Sequence, residues 1–553
     1  MNIDLIIKNA NILTLDESDT IAKSLIASNG DIVKIFSETE PDTAGYSINS
    51  DTQVIDLNGA TLLPGFIDTH SHLFMFGEML NFIDCRSPEN KNIENITQKV
   101  HEKASQSTPG QWIMGWGYDD TLLDEKRHPM KSDLDKVAPD NPVYIRHISG
   151  HFATVNSKAL EISGITEATV DPPGGFFGRD EEGILDGVIH EIPALEMINP
   201  FLPIPSKEES IENIAKGAKV YLAQGITTCT DAGVGLDKGL FELDAHIDAV
   251  NTGKNPLKMR LMIMNHLLRE DGPFANYTVE QLQEEFDKRS EKRIRLDSAK
   301  HFQDGSIQGY TAALREPYSS KGSEYGELLN EQEAFNEEIL DLHNRGFRIA
   351  IHGNGDRAIE SNIKALGSAI KGSPRDDHRH RIEHVQTAKF NDLQTMKELG
   401  IAASFFINHV YYWGDRHRDI FLGQERAARI NPLAEALDLD LLYTLHSDCP
   451  ITPISPLFSV WAAVNRITRN GSVLGEEQKI DVLTALKSMT IYGAKLNFEE
   501  NEKGTIEVGK KADFAVLAKD PLTCPPKEIK DIPVLATIID GNVVWENKSK
   551  ILS

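Results

Sequence analysis

The sequence predicts an α/β protein: a (β/α)8 TIM-like barrel with a small β-sandwich built from both chain termini and an insertion after barrel strand 1. Three observations predict it. Apolar strand-like runs alternate with helical patterns through most of the chain, polar residues of metal-binding type recur where those runs end, and both termini carry short alternating runs broken by Asn, Gly and Asp. With 553 residues, 40% of them hydrophobic, there is room for one large domain and smaller ones beside it.

The first barrel strand is read in Thr61-Leu62-Leu63-Pro64-Gly65-Phe66-Ile67-Asp68-Thr69-His70-Ser71-His72. Its apolar run suits a buried parallel strand, and side chains two apart on a strand share a face, so His70 and His72 point at one spot. A lone His-x-His is more readily a pair of packed or hydrogen-bonded core histidines, so further ligands are needed. Strands two to eight are read at Gly225–Thr230, Leu261–Met264, Ile294–Lys300, Phe347–His352, Arg381–His384, Ile401–Phe405 and Leu441–Leu445. Helical patterns such as Ser206–Leu222 and Glu331–Asn344 separate several of them, which favours the barrel over a doubly wound open sheet.

The terminal runs, among them Asp31–Phe36, Lys511–Leu517 and a hairpin within Val534–Trp545 turning at Gly541-Asn542, predict a small antiparallel sheet. Few strands at either end would be marginal alone, so both ends are expected to form one sandwich, with two unrelated edge hairpins as the alternative. From Cys85 to about Pro205 the periodicity fades into Gly, Pro, aromatic and charged residues. A stretch this long reads as an insertion roofing the pocket, or as an external elaboration. The expected division is 1–60 plus 497–553 for the sandwich, 61–84 plus 206–496 for the barrel and 85–205 for the insertion.

A formal net charge of −27 argues against a nucleic-acid surface and towards a small-molecule substrate. No apolar run approaches the ~20 residues of a membrane span, and the start lacks the basic and apolar regions of a secretion signal, so no membrane partner and a cytoplasmic location are expected. The four cysteines, Cys85, Cys229, Cys449 and Cys524, are scattered and imply neither a disulfide framework nor a thiolate zinc site.

Four residues join the opening pair. Lys300 shares a register with Ile294, Leu296 and Ser298, which puts a cation on an inward face. A buried ammonium must pair, shift its pKa or be altered chemically, and addition of CO₂ would make it a carbamate able to bridge two metals. His352 and His384 end successive strands, and Asp448 follows the last one in His446-Ser447-Asp448-Cys449-Pro450. Singly, Lys300 reads as well as a snorkelling lysine, the histidines as capping or helix-facing groups, and Asp448 as a turn former. At the ends of strands one, four, five, six and eight, together they would surround one point on a barrel axis.

The pattern resembles the amidohydrolase superfamily, within it the branch that includes N-substituted formamide deformylases and other metal-dependent hydrolases. The resemblance rests on Leu63–His72, Lys300 with Asp304-Gly305-Ser306, Ile351–Asp356, Arg381–His384, Ser447-Asp448 and Gly504–Asp513, and spans essentially the whole chain. It implies a divalent metal centre, zinc above all, of one or two ions. His70 and His72 would hold one ion and His352 and His384 the other, Lys300 would bridge as N6-carboxylysine, and Asp448 would bind metal and shuttle a proton. Glu383 and Asp356 are candidates to orient the imidazoles, or ordinary salt-bridge residues. Gln308 to Ala312 stands where many relatives carry an arginine. Substrate contacts are expected among Tyr118, Asp119, His151, Arg315, His409 and Trp413, with loop packing as the alternative.

The implied activity is hydrolysis of a non-peptide, amide-type carbon–nitrogen bond of a small molecule by metal-activated hydroxide. A deaminase or cyclic-amide hydrolase on the same site is the nearest alternative. A non-catalytic binding or regulatory barrel is a further one, against which the retention of all six ligand positions counts. The superfamily resemblance also implies a homo-oligomer.

Overall fold

The computed structural model describes residues 2–547; Met1 and 548–553, part of the expected sandwich range, lie outside the described residues. The chain divides into two compact units, Met1–Phe74 with Ile214–Ser553, and Met75–Asn213. The second encloses the stretch 85–205 read from the sequence.

The first unit is built on eight parallel strands: β1 (Phe66–Ser71), β2 (Ile226–Val234), β3 (Lys258–Met264), β4 (Ile294–Phe302), β5 (Ile349–Gly353), β6 (Arg381–His384), β7 (Ala402–Phe405) and β8 (Tyr443–Leu445). They neighbour one another in chain order, and β1 meets β8 across the seam, where the Thr69 and Thr444 hydroxyls lie 2.9 Å apart. Every residue of β1 and β2 is buried, as expected of strands covered on both faces. Three of the unit's helices bear on the site: α1 (Asp356–Gly372), α2 (Phe390–Leu399) and α3 (His409–Arg416). In α1 the buried Ile359, Ile363 and Leu366 recur at helical spacing, which turns one face to the strands.

The run Thr61–His72, expected to be one strand, is two. Thr61–Pro64 pairs with Phe514–Leu517 and Asn11–Leu13 in a terminal sheet, and the chain turns into the barrel at Gly65. A Cβ at Gly65 would stand 2.2 Å from Thr227 Oγ1, so only glycine lets the two segments approach this closely. That six-stranded sheet runs in the order Asn542–Glu546, Val534–Ile539, Phe514–Leu517, Thr61–Pro64, Asn11–Leu13, Ile21–Ala22. A four-stranded sheet holds Asp31–Phe36, Ser24–Ser28, Leu5–Lys8 and Gln53–Asp56. One apolar cluster takes Leu5, Leu25 and Ile55 from the second sheet and Ile12, Leu62, Phe514 and Ile538 from the first.

These sheets are mixed rather than antiparallel. Leu5–Lys8 pairs parallel with Gln53–Asp56, and Asn11–Ile12 with Thr61–Leu62, because long connections carry the chain back to start each partner at the same end. The last hairpin turns on Asp540-Gly541, both at positive φ, one residue earlier than the sequence suggested.

The second unit has its own six-stranded mixed sheet, in the order Phe176–Arg179, Leu185–His190, Phe152–Val155, Val143–His147, Ile113–Tyr118, Ile83–Asp84, over two apolar clusters. Its strands are short and carry glycines for packing, which hides their alternation. Gly115, for example, lets the Ile145 side chain and Cys85 Sγ approach to 3.1 and 3.3 Å of where its Cβ would be.

Candidate metal centre

His70 lies in β1 and His72 just beyond it, where the His72 N–H donates to Cys449 O at 2.7 Å. The Asp448 N–H donates to His70 O at 3.2 Å, so the ends of β1 and β8 are tied together. Both imidazoles then face one carboxylate oxygen: His70 Nε2 is 3.4 Å and His72 Nε2 3.2 Å from Asp448 Oδ1. The His70 Nδ1–H donates to Glu383 Oε2 at 2.5 Å, which in the neutral ring leaves Nε2 as a lone pair. A lone pair and a carboxylate oxygen that finds no hydrogen bond thus oppose each other in a buried place. That arrangement calls for a cation.

The spacing suits one. Two donors at about 2.0–2.1 Å from a tetrahedral ion are about 3.3 Å apart. The pairs on Asp448 fall near that value, as does His352 Nδ1 to His384 Nε2 at 3.1 Å. Burial, together with neighbouring His352, lowers the His384 pKa well below the imidazole range, so its ring is neutral and free to ligate. One nitrogen each of His70 and His384 and an oxygen of Asp448 lie within 4.8 Å of one another.

Lys300 reaches the same cluster from β4. It is 1% exposed, its Nζ finds no hydrogen-bond partner among the described residues, and it sits 5.0 Å from the centre of the Phe302 ring. Burial pulls its pKa down to about 8, only partly offset by Glu383 and Asp448. The Asp448 carboxyl is held well below the usual range: burial opposes this, and the His70 and His72 imidazoles that face it outweigh it.

The backbone is strained where the ligands stand. In a regular strand His384 would face away from Glu383, but φ is +68° at His384 and +47° at Val385, and the imidazole turns to meet His352. Asp448 is also left-handed, at +52°.

The support beneath is ionic. Arg381, fully buried, binds Glu383 Oε1 through Nε at 2.6 Å and donates to Thr69 O at 2.9 Å. Asp297 accepts from Arg260 at 3.1 Å, pairs with Arg348, and lies 3.5 Å from Arg381. Burial would raise its pKa, and the three guanidiniums drive it far below the usual range instead.

Of the two carboxylates expected to orient imidazoles, Glu383 contacts His70, whereas Asp356 opens α1 and accepts the Arg315 N–H at 2.8 Å. His352 Nε2 instead meets Gly305 O and Asn354 Nδ2, each at 3.0 Å. His409 and Trp413, in α3, are buried near the cluster, with the His409 ring centre 6.3 Å from that of His384. Among the described residues His409 Nδ1 finds no hydrogen-bond partner. The Arg315 guanidinium is engaged by Asp392 at 2.8 Å and Glu360 at 3.0 Å.

Tyr118, Asp119 and His151 belong to the second unit. The Tyr118 hydroxyl lies between His128 Nδ1 (2.9 Å) and Thr154 Oγ1 (3.1 Å), Asp119 accepts from the Thr121 hydroxyl at 2.6 Å, and the His151 Nδ1–H donates to Glu191 at 2.9 Å. Sequence reasoning passed over His446, whose Nε2 is 3.1 Å from His384 Nδ1. The signal was present: His446 precedes Asp448 by two, the spacing that singled out His70 and His72.

Comparison with known proteins identifies the family. A profile described as the amidohydrolase family matches residues 53–545. The chain is 28% identical over 548 residues to an N-substituted formamide deformylase of Arthrobacter pascens, with 98% of each covered. It is equally 28% identical over 552 residues to protein LONG AFTER FAR-RED 3 of Arabidopsis thaliana, covering 98% of this chain and 91% of that one. Among solved structures, an uncharacterized metal-dependent hydrolase from Pyrococcus horikoshii OT3 superposes with a TM-score of 0.74 at 24% identity, over 94% of this chain and 99% of that one. Among the described residues no helix is long and apolar enough to cross a membrane.

Proposed function

The chain belongs to the amidohydrolase family and is a hydrolase, and from that premise we propose that it cleaves a non-peptide, amide-type carbon–nitrogen bond of a small molecule at a divalent metal centre. One observation supports the reading: His70 and His72 face Asp448, and His352 faces His384, with donor separations of 3.1 to 3.4 Å, while Lys300 is buried within electrostatic reach of Asp448. His70 and His72 would hold one ion and His352 and His384 a second, with zinc suited to this donor set. Such an ion lowers the pKa of water towards about 7 and polarises a carbonyl. Lys300, as a carbamate, would supply the bridging oxygens.

The chain's own groups do the rest. Asp448, ionised and facing both His70 and His72, takes a proton from the attacking water and delivers it to the departing amine. Glu383, anchored by Arg381, keeps His70 in the ligating tautomer. His409, with its unpartnered Nδ1, offers the substrate a hydrogen-bonding group beside the apolar wall of Phe406 and Trp413. The two terminal sheets, sharing one apolar core, we read as a single sandwich on which β1 is carried.

Purified protein is expected to hold a divalent metal and to hydrolyse members of a panel of N-acyl amines, with His70→Ala lowering both metal content and rate at least about 100-fold. Metal-free wild type, or unchanged hydrolysis in His70→Ala, sinks the reading. Ammonia release from aminated heterocycles with no N-acyl amine cleaved would move the assignment to a deaminase.

A further inference from the structure

We propose that His446 is a positioning residue for the metal centre, holding the His384 imidazole in the tautomer and orientation that present Nε2 to the ion. The inference rests on the metal-centre reading above. Its observation is a chain of buried hydrogen bonds: His384 Nδ1 to His446 Nε2 at 3.1 Å, His446 Nδ1 to Ser404 Oγ at 2.9 Å, and the Thr444 hydroxyl donating to Ser404 Oγ at 3.3 Å.

Such a chain has two self-consistent directions. In one, His384 Nδ1–H donates to His446, His446 Nδ1–H donates to Ser404, and His384 Nε2 is a lone pair. In the other every proton runs the opposite way, and His384 Nε2 carries a hydrogen that bars a metal. The Thr444 hydroxyl, donating to Ser404 Oγ, leaves that oxygen in place as an acceptor for His446. An ion at His384 Nε2 would require the first direction, in which His446 Nε2 accepts the hydrogen bond from His384 Nδ1–H.

Orientation matters at this ligand because the strand does not secure it. His384 sits at φ +68°, outside the extended conformation, so the strand pleat does not direct its ring. His446, by contrast, is fixed: its N–H donates to Phe405 O at 3.0 Å, and its ring stacks on His70 (4.6 Å, 19° between planes) and on Phe406 (5.4 Å, 26°). One ring therefore touches a ligand of each proposed ion, stacking on His70 and accepting from His384.

Stacking and hydrogen bonding can be separated. His446→Phe keeps a flat ring and loses the acceptor, whereas His446→Gln loses the ring and keeps an acceptor within reach of His384. Zinc affinity, read by competition with a chromophoric chelator, is expected to fall about 10–100-fold in His446→Phe and to stay within a few-fold of wild type in His446→Gln. The visible spectrum of the cobalt(II)-substituted protein should change in the Phe variant and not in the Gln variant. Ser404→Ala, which deletes a single oxygen, should reproduce part of the loss if His446→Phe does not fold. Unchanged zinc affinity in His446→Phe and Ser404→Ala, or a Gln variant as weak as the Phe variant, overturns the role of His446 while leaving the metal centre standing. Wild type that binds no zinc overturns both.

Discussion

An ammonium buried without a hydrogen bond is costly, even with carboxylates near it, and among the described residues Lys300 is in that position. With burial lowering its pKa from 10.5 to about 8, on the order of a tenth of the amine is neutral at pH 7, roughly 300 times the fraction in an ordinary lysine. Only the neutral amine adds CO₂, and its share grows as pH rises through about 8. At fixed dissolved CO₂, protein equilibrated with ¹³C-labelled bicarbonate should therefore show a carbamate carbon resonance that strengthens between about pH 6.5 and 8.5. Lys300→Ala should lack it. A resonance that survives in Lys300→Ala, or none in wild type, would remove the bridging role proposed for this residue.

At the scale of elements, the strands were legible because buried parallel strands are runs of apolar residues. β6 has the very limits its sequence suggests, and β2 to β5 are found within a few residues of theirs. What stayed hidden depended on backbone geometry or on partners remote in sequence. Periodicity puts His384 on the face opposite Glu383, and only the left-handed turn at His384 brings both to the cluster. Pairing of residue 62 with residue 516 leaves no local signal, so Thr61–His72 read as one strand. Gly65, where it divides, tests how tightly the two sheets are joined. A Cβ there would lie 2.2 Å from Thr227 Oγ1 and 2.8 Å from Thr227 Cβ. Gly65→Ala should destabilise the protein by about 1–3 kcal/mol in denaturant unfolding. Thr227→Ala in the same chain should recover part of that loss, since the nearest obstructing atoms go and Cβ stays. Purely additive effects in the double-mutant cycle would show that the clash is absorbed elsewhere.

Across the whole molecule, the candidate ligands come from β1, β4, β5, β6 and the segment after β8, so an ion would link strands nearly 380 residues apart in sequence, His70 to Asp448. It would act where β1 meets β8, the seam that closes the barrel and is also tied by Thr69–Thr444, the Asp448 N–H to His70 O and the His72 N–H to Cys449 O. The unfolded chain has no such convergence, so ion binding should appear as stability. Free zinc at 100 times its dissociation constant should add about 2.7 kcal/mol to the unfolding free energy of wild type, with a strong chelator reversing the gain. His70→Ala, which removes a ligand and the partner of Glu383, should melt earlier without metal and respond little to added zinc. An equal zinc response in His70→Ala and wild type would place the stabilising ion away from the barrel mouth, and the convergence of these side chains would then need another cause.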